Sequence, residues 1–286
     1  MLPSKAKRLR DELAAGKTIV AAGAHDGLSA RLVEAAGFDA VWASSFEIST
    51  SHAVPDASIV TMSEYLDAAR SMNQSVRIPI IADCDNGFGN STNVSYMVRR
   101  YEAEGIAAVC IEDKRFPKLN SFIGEGQALE TIEEFTDKIR AGKRSQQTEE
   151  FLLIARTEAL ISGQGVDEAL RRAESYVDAG ADAVLVHSKS RTADEVLSMV
   201  GKWDGRAPIV VVPTTYYEST VEELVAEGVQ VVIFANHAIR AAVRAMGSTL
   251  AEVRRRGTTA SVEDRIATLQ ELFDLQGMGD VGQLSV

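Results

Sequence analysis

Apolar residues along the 286-residue chain gather into short, near-continuous runs at 18–22, 40–44, 78–83, 107–112, 151–156, 183–187, 209–213 and 231–235. Runs of this length without apolar–polar alternation predict strands buried on both faces of a parallel sheet. The stretches between them carry a helical period instead. Val94, Met97, Val98 and Tyr101 fall at i, i+3, i+4 and i+7, and Leu170, Ala173 and Val177 follow a similar spacing. Four times a helix end, a glycine and an apolar strand follow one another, around Gly37, Gly105, Gly180 and Gly228. Glycine there can take the left-handed conformation that ends a helix. Eight strands alternating with helices over roughly 220 residues predict a (β/α)8 TIM barrel of the α/β class. An open doubly wound sheet is the competing arrangement, but no Gly-x-Gly-x-x-Gly turn follows the first strand. A helix near 5–15 and a helical tail, with apolar spacing over 238–255 and 262–275, lie outside the eight units. No linker or low-complexity run divides the chain, which predicts one domain over 1–286.

Polar residues stand where each predicted strand stops: His25 and Asp26, Ser44 and Ser45, Asp83 and Asp85, Glu112 and Lys114, Arg156 and Glu158, His187 and Ser188, Thr214 and Thr215, Asn236 and His237. That is the face on which barrel enzymes build their sites. Any strand meets polar residues as it reaches solvent, so one such pair carries nothing; acids, Arg and His in register at eight strand ends carry more. Asp83, Asp85 and Glu112 are oxygen ligands of the kind that suits Mg²⁺, an ion that keeps several waters and takes one or two carboxylates directly. Their plain alternative is pairing with Lys or Arg. A zinc site would want clustered His or Cys, and the four His are scattered. Arg156 and His187 are cations or potential cations at adjacent strand ends. With Mg²⁺ they would neutralise an anionic group of several oxygens, such as a phosphate or phosphonate. Arg156 paired with Glu158 or Glu112 is the structural alternative. Backbone N–H groups around Ser44, Ser45 and Phe46 can hold a carboxylate or enolate oxygen. Beyond Glu112, the stretch Lys118-Leu119-Asn120-Ser121 reads as a polar loop able to close over a bound anion.

Composition narrows the classes. Hydrophobic residues make up 45% and charged residues 25%, ordinary for a globular protein. A net charge of −11 and a pI near 5.0 argue against nucleic acid or an anionic membrane as partner. An anionic substrate therefore needs local positive charge or a metal. The N-terminal stretch lacks the apolar core of a signal peptide, and no stretch approaches the ~20 apolar residues of a membrane span, so the expected location is the cytoplasm. Cys84 and Cys110 read as buried thiols and not as a disulfide; a nucleophilic role would want a His nearby in sequence, and neither has one.

The motifs resemble a known family. Glu112-Asp113-Lys114, five residues and then Asn120-Ser121 is similar to the signature of the phosphoenolpyruvate mutase and phosphonopyruvate hydrolase branch of the isocitrate lyase superfamily. The likeness runs from about Ala24 to the C-terminal region. It includes Trp42-Ala43-Ser44-Ser45, the Asp83-x-Asp85-x-Gly87-Phe88-Gly89-Asn90 element, Ile154-Ala-Arg156-Thr-Glu158, His187-Ser188-Lys189 and Ala235-Asn236-His237. The resemblance implies Mg²⁺ held by Asp83, with Asp85 and Glu112 acting largely through water. It implies Ser44 and the backbone around Ser45 and Phe46 at the pyruvate end, with Trp42 walling the site. It implies Arg156, His187 and Asn120 against the phosphoryl group, Lys118 and Asn120 on a gating loop, Ser121 among the substrate-binding residues, and Asp56 as a further active-site carboxylate. It also implies a final helix swapped onto a neighbouring subunit in a homotetrameric dimer of dimers.

The implied reaction is the interconversion of phosphoenolpyruvate and phosphonopyruvate by Mg²⁺-assisted phosphoryl migration. Asn120 in the loop favours the mutase, because the hydrolase, which gives pyruvate and phosphate, tends to carry Thr there. Residues 53–57, Ala-Val-Pro-Asp-Ala, look hydrolase-like. Asn86 stands where both commonly have Thr, and Ser45 where Gly is usual. The C–C lyases of the superfamily use a cysteine in the loop that here reads Lys114-Arg115-Phe116-Pro117-Lys118, so a lyase or decarboxylase of a small 2-oxo or 2-hydroxy acid is the minor alternative. A barrel that binds an anionic metabolite without turnover is the non-enzymatic one.

Overall fold

In the computed structural model, residues 3–124 and 127–281 are described. Their contacts form two compact units, Met1–Asn236 and His237–Val286. The first is a barrel. Its strands are β1 (Ile19–Ala24), β2 (Ala40–Ala43), β3 (Ile80–Asp83), β4 (Ala108–Glu112), β5 (Leu152–Thr157), β6 (Ala183–Val186), β7 (Ile209–Val211) and β8 (Val231–Phe234). They close in sequence order, every neighbouring pair parallel, with β1 against β8. The (β/α)8 expectation is met. After α1 (Lys5–Ala14), the barrel helices are α2 (Gly27–Ala35), α3 (Ser45–Ser51), α4 (Met62–Ser75), α5 (Ser91–Ala103), α6 (Ile132–Ser145), α7 (Val166–Asp178), α8 (Asp194–Val200) and α9 (Val221–Ala226).

Strand parity decides which side chains enter the barrel. Ala40 and Trp42, Ile81, Ala108 and Cys110, Leu152 and Ile154, Leu185, Val210 and Ile233 pack in one cluster, to which α1 adds Ala6 and Leu9. The alternate residues, such as Val41, Ile80, Val109 and Leu153, pack under the helices. Two steps further along the inward parity stand Asp83 in β3, Glu112 in β4, Arg156 in β5 and His187 just past β6. The register places Asp83 opposite Cys110 and Glu112 opposite Arg156. The period that fills the core thus also carries these four side chains to one rim.

Several expectations need adjusting. β1 runs on to Ala24, two residues beyond the apolar run, because the small residues there are still paired with β2. β2, β6, β7 and β8 end one or two residues before the predicted runs, β3 and β4 begin one or two residues after theirs, and β5 is shifted by one residue. α3, a short helix capped by the Ser44 side chain, was not read from the sequence. α5 buries Val94, Met97, Val98 and Tyr101, as the period predicts. α7 buries Ala169, Arg172, Ala173 and Tyr176 instead, leaving Leu170 and Val177 half-buried. Its stripe is rotated because Arg172 and Tyr176 reach a buried carboxylate.

The second unit holds α10 (His237–Arg256), a 3-10 turn at Glu263–Arg265, α11 (Leu269–Gln276) and α12 (Met278–Val281). The tail helix expected over 262–275 begins only at Leu269, where Thr268 and Glu271 form a reciprocal cap. Val243, Met246 and Leu250 lie exposed along α10. Among the described residues no helix is long and apolar enough to cross a membrane.

Candidate active site

A cleft at the C-terminal rim is lined by Trp42, Ser44, Ser45 and Phe46 after β2, Asp56, Asp83 of β3, Lys118, Asn120, Ser121 and Phe122 of the long β4–α6 loop, Arg156 and His187. Val212, Thr214, Ala235 and Asn236 complete the far wall. Asp85 and Glu112 lie beside this lining, each 1% exposed. The other strand-end residues do different work. Asp26 caps α2 through Ser29, and His25 pairs with buried Glu47 at 2.9 Å. His237 opens α10.

The acidic side is built on a turn that the backbone has to be forced into. Asp85, Gly87, Phe88 and Gly89 all have positive φ, at 49°, 83°, 60° and 143°. Such values are costly for Asp85 and Phe88 and persist where surroundings hold them. Phe88 packs its ring on Tyr65 at 5.7 Å, and Lys138 donates to the Asn86 carbonyl at 2.9 Å. Ser45 Oγ donates to Asp83 Oδ2 at 2.9 Å, and the Asp85 backbone N–H donates to Asp83 Oδ1 at 3.2 Å. Burial pushes the Asp83 carboxyl up, against the pull of Lys118 and Arg156. Burial likewise pushes Asp85 up to about 7, although Lys118 Nζ lies 2.8 Å from its Oδ1.

The β4–α6 loop is pinned across the cleft by charge. Lys118 Nζ sits 2.9 Å from Asp56 Oδ1, 2.8 Å from Asp85 Oδ1 and 3.4 Å from Ser45 Oγ. Burial alone would lower the affinity of this ammonium for its proton, but Asp85, Glu112 and Asp56 together raise it well above its usual range. Asn120 Nδ2 donates to Asp56 Oδ2 at 2.7 Å. Burial works to raise Asp56, but Lys118 and Asn120 outweigh it and hold the carboxyl low. Ser58 Oγ accepts from the Lys118 backbone N–H at 3.0 Å.

On the basic side, Glu158 is the hub. Its Oε1 meets Arg156 Nε at 2.5 Å and His187 Nδ1 at 2.8 Å; its Oε2 meets Ser121 Oγ at 2.8 Å and Lys114 Nζ at 3.1 Å. Burial works against ionisation there, but Arg156 leads the partners that hold this carboxyl well below the usual range. Arg156 also reaches Glu112 Oε2 at 3.2 Å and Ser121 Oγ at 3.1 Å. His187, read from the sequence as a possible cation, is pushed toward the neutral form by burial and by Arg156. Its Nδ1 lies 2.7 Å from Arg156 Nη2. Nδ1 thus faces both a guanidinium donor and the ionised Glu158 acceptor: it can accept from Arg156 with the ring's N–H on Nε2, or carry the N–H itself and donate to Glu158. Phe122 and this ring meet nearly at right angles, centroids 5.8 Å apart. Sequence reasoning paired Glu158 only with Arg156, and it did not single out Phe122; the loop motif ends one residue before it and nothing else marks it.

The donor set fits Mg²⁺. Asp56, Asp83, Asp85, Glu112 and Glu158 face Lys114, Lys118 and Arg156, so fully ionised carboxylates exceed cations by two charges. A divalent cation matches that excess. Both Asp85 oxygens and Glu112 Oε1 are buried without a well-directed hydrogen bond. Among the described residues no three His, Cys, Asp or Glu converge into an all-protein cage. An ion held by one or two carboxylates and by waters needs no such cage.

Comparison with known proteins gives the family. The family model for phosphoenolpyruvate phosphomutase matches residues 9–254. The chain is 46% identical over 276 residues to the phosphonopyruvate hydrolase of Variovorax sp. (strain Pal2), covering 96% of this chain and 95% of that protein. It is 41% identical over 261 residues to the phosphoenolpyruvate phosphomutase of Tetrahymena pyriformis, covering 91% and 87%. Among solved structures, the phosphoenolpyruvate phosphomutase of Streptomyces platensis subsp. rosaceus superposes with a TM-score of 0.96 at 50% identity, covering 98% of each chain. A phosphonopyruvate hydrolase in complex with oxalate and Mg²⁺ superposes with a TM-score of 0.94 at 44% identity, covering 99% of this chain and 98% of that one. With its closed barrel, its acidic and basic rim and these relatives, the chain belongs to the phosphoenolpyruvate phosphomutase family of the isocitrate lyase superfamily.

Proposed function

We propose that the protein is a Mg²⁺-dependent enzyme of phosphonopyruvate, and that it acts as a mutase, moving the phosphoryl group between C3 of pyruvate and the enol oxygen. One observation carries the reading: the loop bearing Lys118, Asn120 and Ser121 lies over the same cleft that Asp83, Arg156 and His187 enter from three strands. Asp83 would hold the metal directly, with Asp85 and Glu112 oriented toward its waters. Bound there, Mg²⁺ would supply positive charge opposite an enolate oxygen. Ser44 and the backbone N–H groups of Ser45 and Phe46 would face the carboxylate end, against Trp42.

Arg156 and His187 would take the other end of the substrate. A transferring phosphoryl group passes through a loose, metaphosphate-like state with charge on its equatorial oxygens. The Arg156 guanidinium offers fixed N–H donors to those oxygens, and His187, pushed toward the neutral form, lines the same cleft. In the forward step the C–P bond breaks, its electron pair stays with the pyruvate carbon as an enolate, and the same phosphorus bonds to the enolate oxygen. The Asp56–Lys118–Asn120 contacts would keep the loop shut so that water does not capture the group first. Capture by water instead, giving pyruvate and phosphate, is the second reading, and the 46% identity to a hydrolase over nearly the whole chain favours it. Incubation with phosphonopyruvate and Mg²⁺, with coupled detection of phosphoenolpyruvate, pyruvate and phosphate, separates the two. If none forms, the reading fails and a binding protein or a different acid takes its place.

A further inference from the structure

We infer that Asp113, braced by Arg172 and Tyr176 of α7, is a positioning residue that sets the Arg156–His187 pair for the transferred group. The inference rests on the reading of the cleft just given.

Asp113 lines no part of the cleft and is 0% exposed. A carboxylate in that setting is expensive unless its oxygens are met. Its partners are unusual in where they lead. The Asp113 backbone N–H donates to the Arg156 carbonyl at 3.1 Å, and Asp113 Oδ1 accepts from the Glu158 backbone N–H at 2.9 Å. One residue therefore grips both ends of the Arg156–Thr157–Glu158 segment. Oδ2 accepts from Tyr176 Oη at 2.6 Å and from Arg172 Nη1 at 3.1 Å, which ties the grip to the outer helix layer. Tyr176 is itself held by Phe135, ring centroids 4.7 Å apart.

The segment so fixed ends in the Glu158 carboxylate, which touches Arg156, His187 and Ser121 at once. A tilt of the Glu158 backbone would move the guanidinium, the imidazole and the loop contact together. Misplacement of a binding group by about 1 Å can cost ~100-fold in rate. Groups behind the contacting residues commonly set their orientation in this way. The carboxylate pocket around Ser44 and Ser45 shares none of these contacts, and the Arg156–Glu112 contact at 3.2 Å is the link toward the acidic side, so the effect should fall mainly on the phosphoryl end of the substrate.

The test uses the full chain with Tyr176→Phe, Arg172→Met and Asp113→Asn. Tyr176→Phe keeps the ring against Phe135 and removes only the hydroxyl, so a folded variant remains even where Asp113→Asn does not fold. Turnover of phosphonopyruvate is measured beside the affinity for oxalate with Mg²⁺ by calorimetry, and the His187 ring nitrogens are observed by NMR without substrate. The expected result is kcat lowered about tenfold in Tyr176→Phe and up to ~100-fold in Asp113→Asn. Oxalate, which has no phosphoryl group, should bind within about twofold of wild type, and the His187 Nδ1 resonance should move. Unchanged kcat in every folded variant, or oxalate affinity falling in step with kcat, would overturn the inference. Should the wild type not turn over phosphonopyruvate, the functional reading fails separately. The His187 nitrogens then decide: a moved Nδ1 resonance supports the positioning role and an unmoved one refutes it.

Discussion

At the scale of single residues, the rim is a problem in charge balance. Asp83 and Asp85 are held up by burial although Lys118 and Arg156 pull them down. A carboxyl whose folded acidity constant lies near 7 binds a proton that the unfolded chain has already released. From Asp85, the stability of the metal-free protein is therefore fully present below about pH 4 and declines as pH rises toward 7. Mg²⁺ needs the ionised form, so its uptake near pH 6.5 should release protons and tighten as pH rises. Calorimetry in two buffers of different ionisation enthalpy reads this; uptake without proton release would contradict the raised value. Asp83→Ala should lose about a thousandfold in turnover, together with Mg²⁺ dependence, while circular dichroism stays that of a folded barrel. Wild-type turnover in that variant would refute its place as the metal ligand. Asn120→Ala removes the 2.7 Å bond to Asp56 and should shift product from phosphoenolpyruvate toward phosphate. Unchanged mutase flux would show that the loop does not guard the transfer.

Elements explain what could and could not be read ahead. The eight strands were legible because a strand buried on both faces leaves no polar position to confuse the run. Asp83, Glu112, Arg156 and His187 were legible from their places at predicted strand ends; their shared inward parity is seen only in the paired barrel. The hub at Glu158 was not, because its partners at 114 and 121 on the β4–α6 loop and at 187 beyond β6 meet it only through the barrel register. The stripe of α7 was misjudged because hydrophobicity cannot announce a buried Arg172 whose counter-charge lies 59 residues away in sequence. Strand ends were blurred because small residues continue the pairing of β1 without adding hydrophobicity. That economy matters at Gly23, where an added Cβ would lie 2.2 Å from the Ala235 carbonyl oxygen and 2.4 Å from Glu47 Oε1. Backbone cannot retreat as a flexible side chain does, so Gly23→Ala should cost about 3 kcal/mol, read from urea denaturation. A loss below about 0.5 kcal/mol would mean that β1 and β8 can part at the rim.

At the scale of the whole molecule, two features remain to be matched with behaviour in solution. Val243, Met246 and Leu250 are 55%, 56% and 69% exposed along α10. A row of this kind favours burial against a second chain; the family resemblance implies a swapped final helix and a dimer of dimers. Light scattering should return a particle of about four copies of the 30.8 kDa chain, and a monomer at micromolar concentration would contradict it. The other feature is the reaction. Phosphorus NMR of phosphonopyruvate with the protein, with Mg²⁺ and then with the metal chelated, tests it most directly. The expected spectrum shows the phosphonate signal exchanging with that of phosphoenolpyruvate only while Mg²⁺ is present. A phosphonate signal unchanged in both conditions would contradict C–P chemistry at this rim altogether.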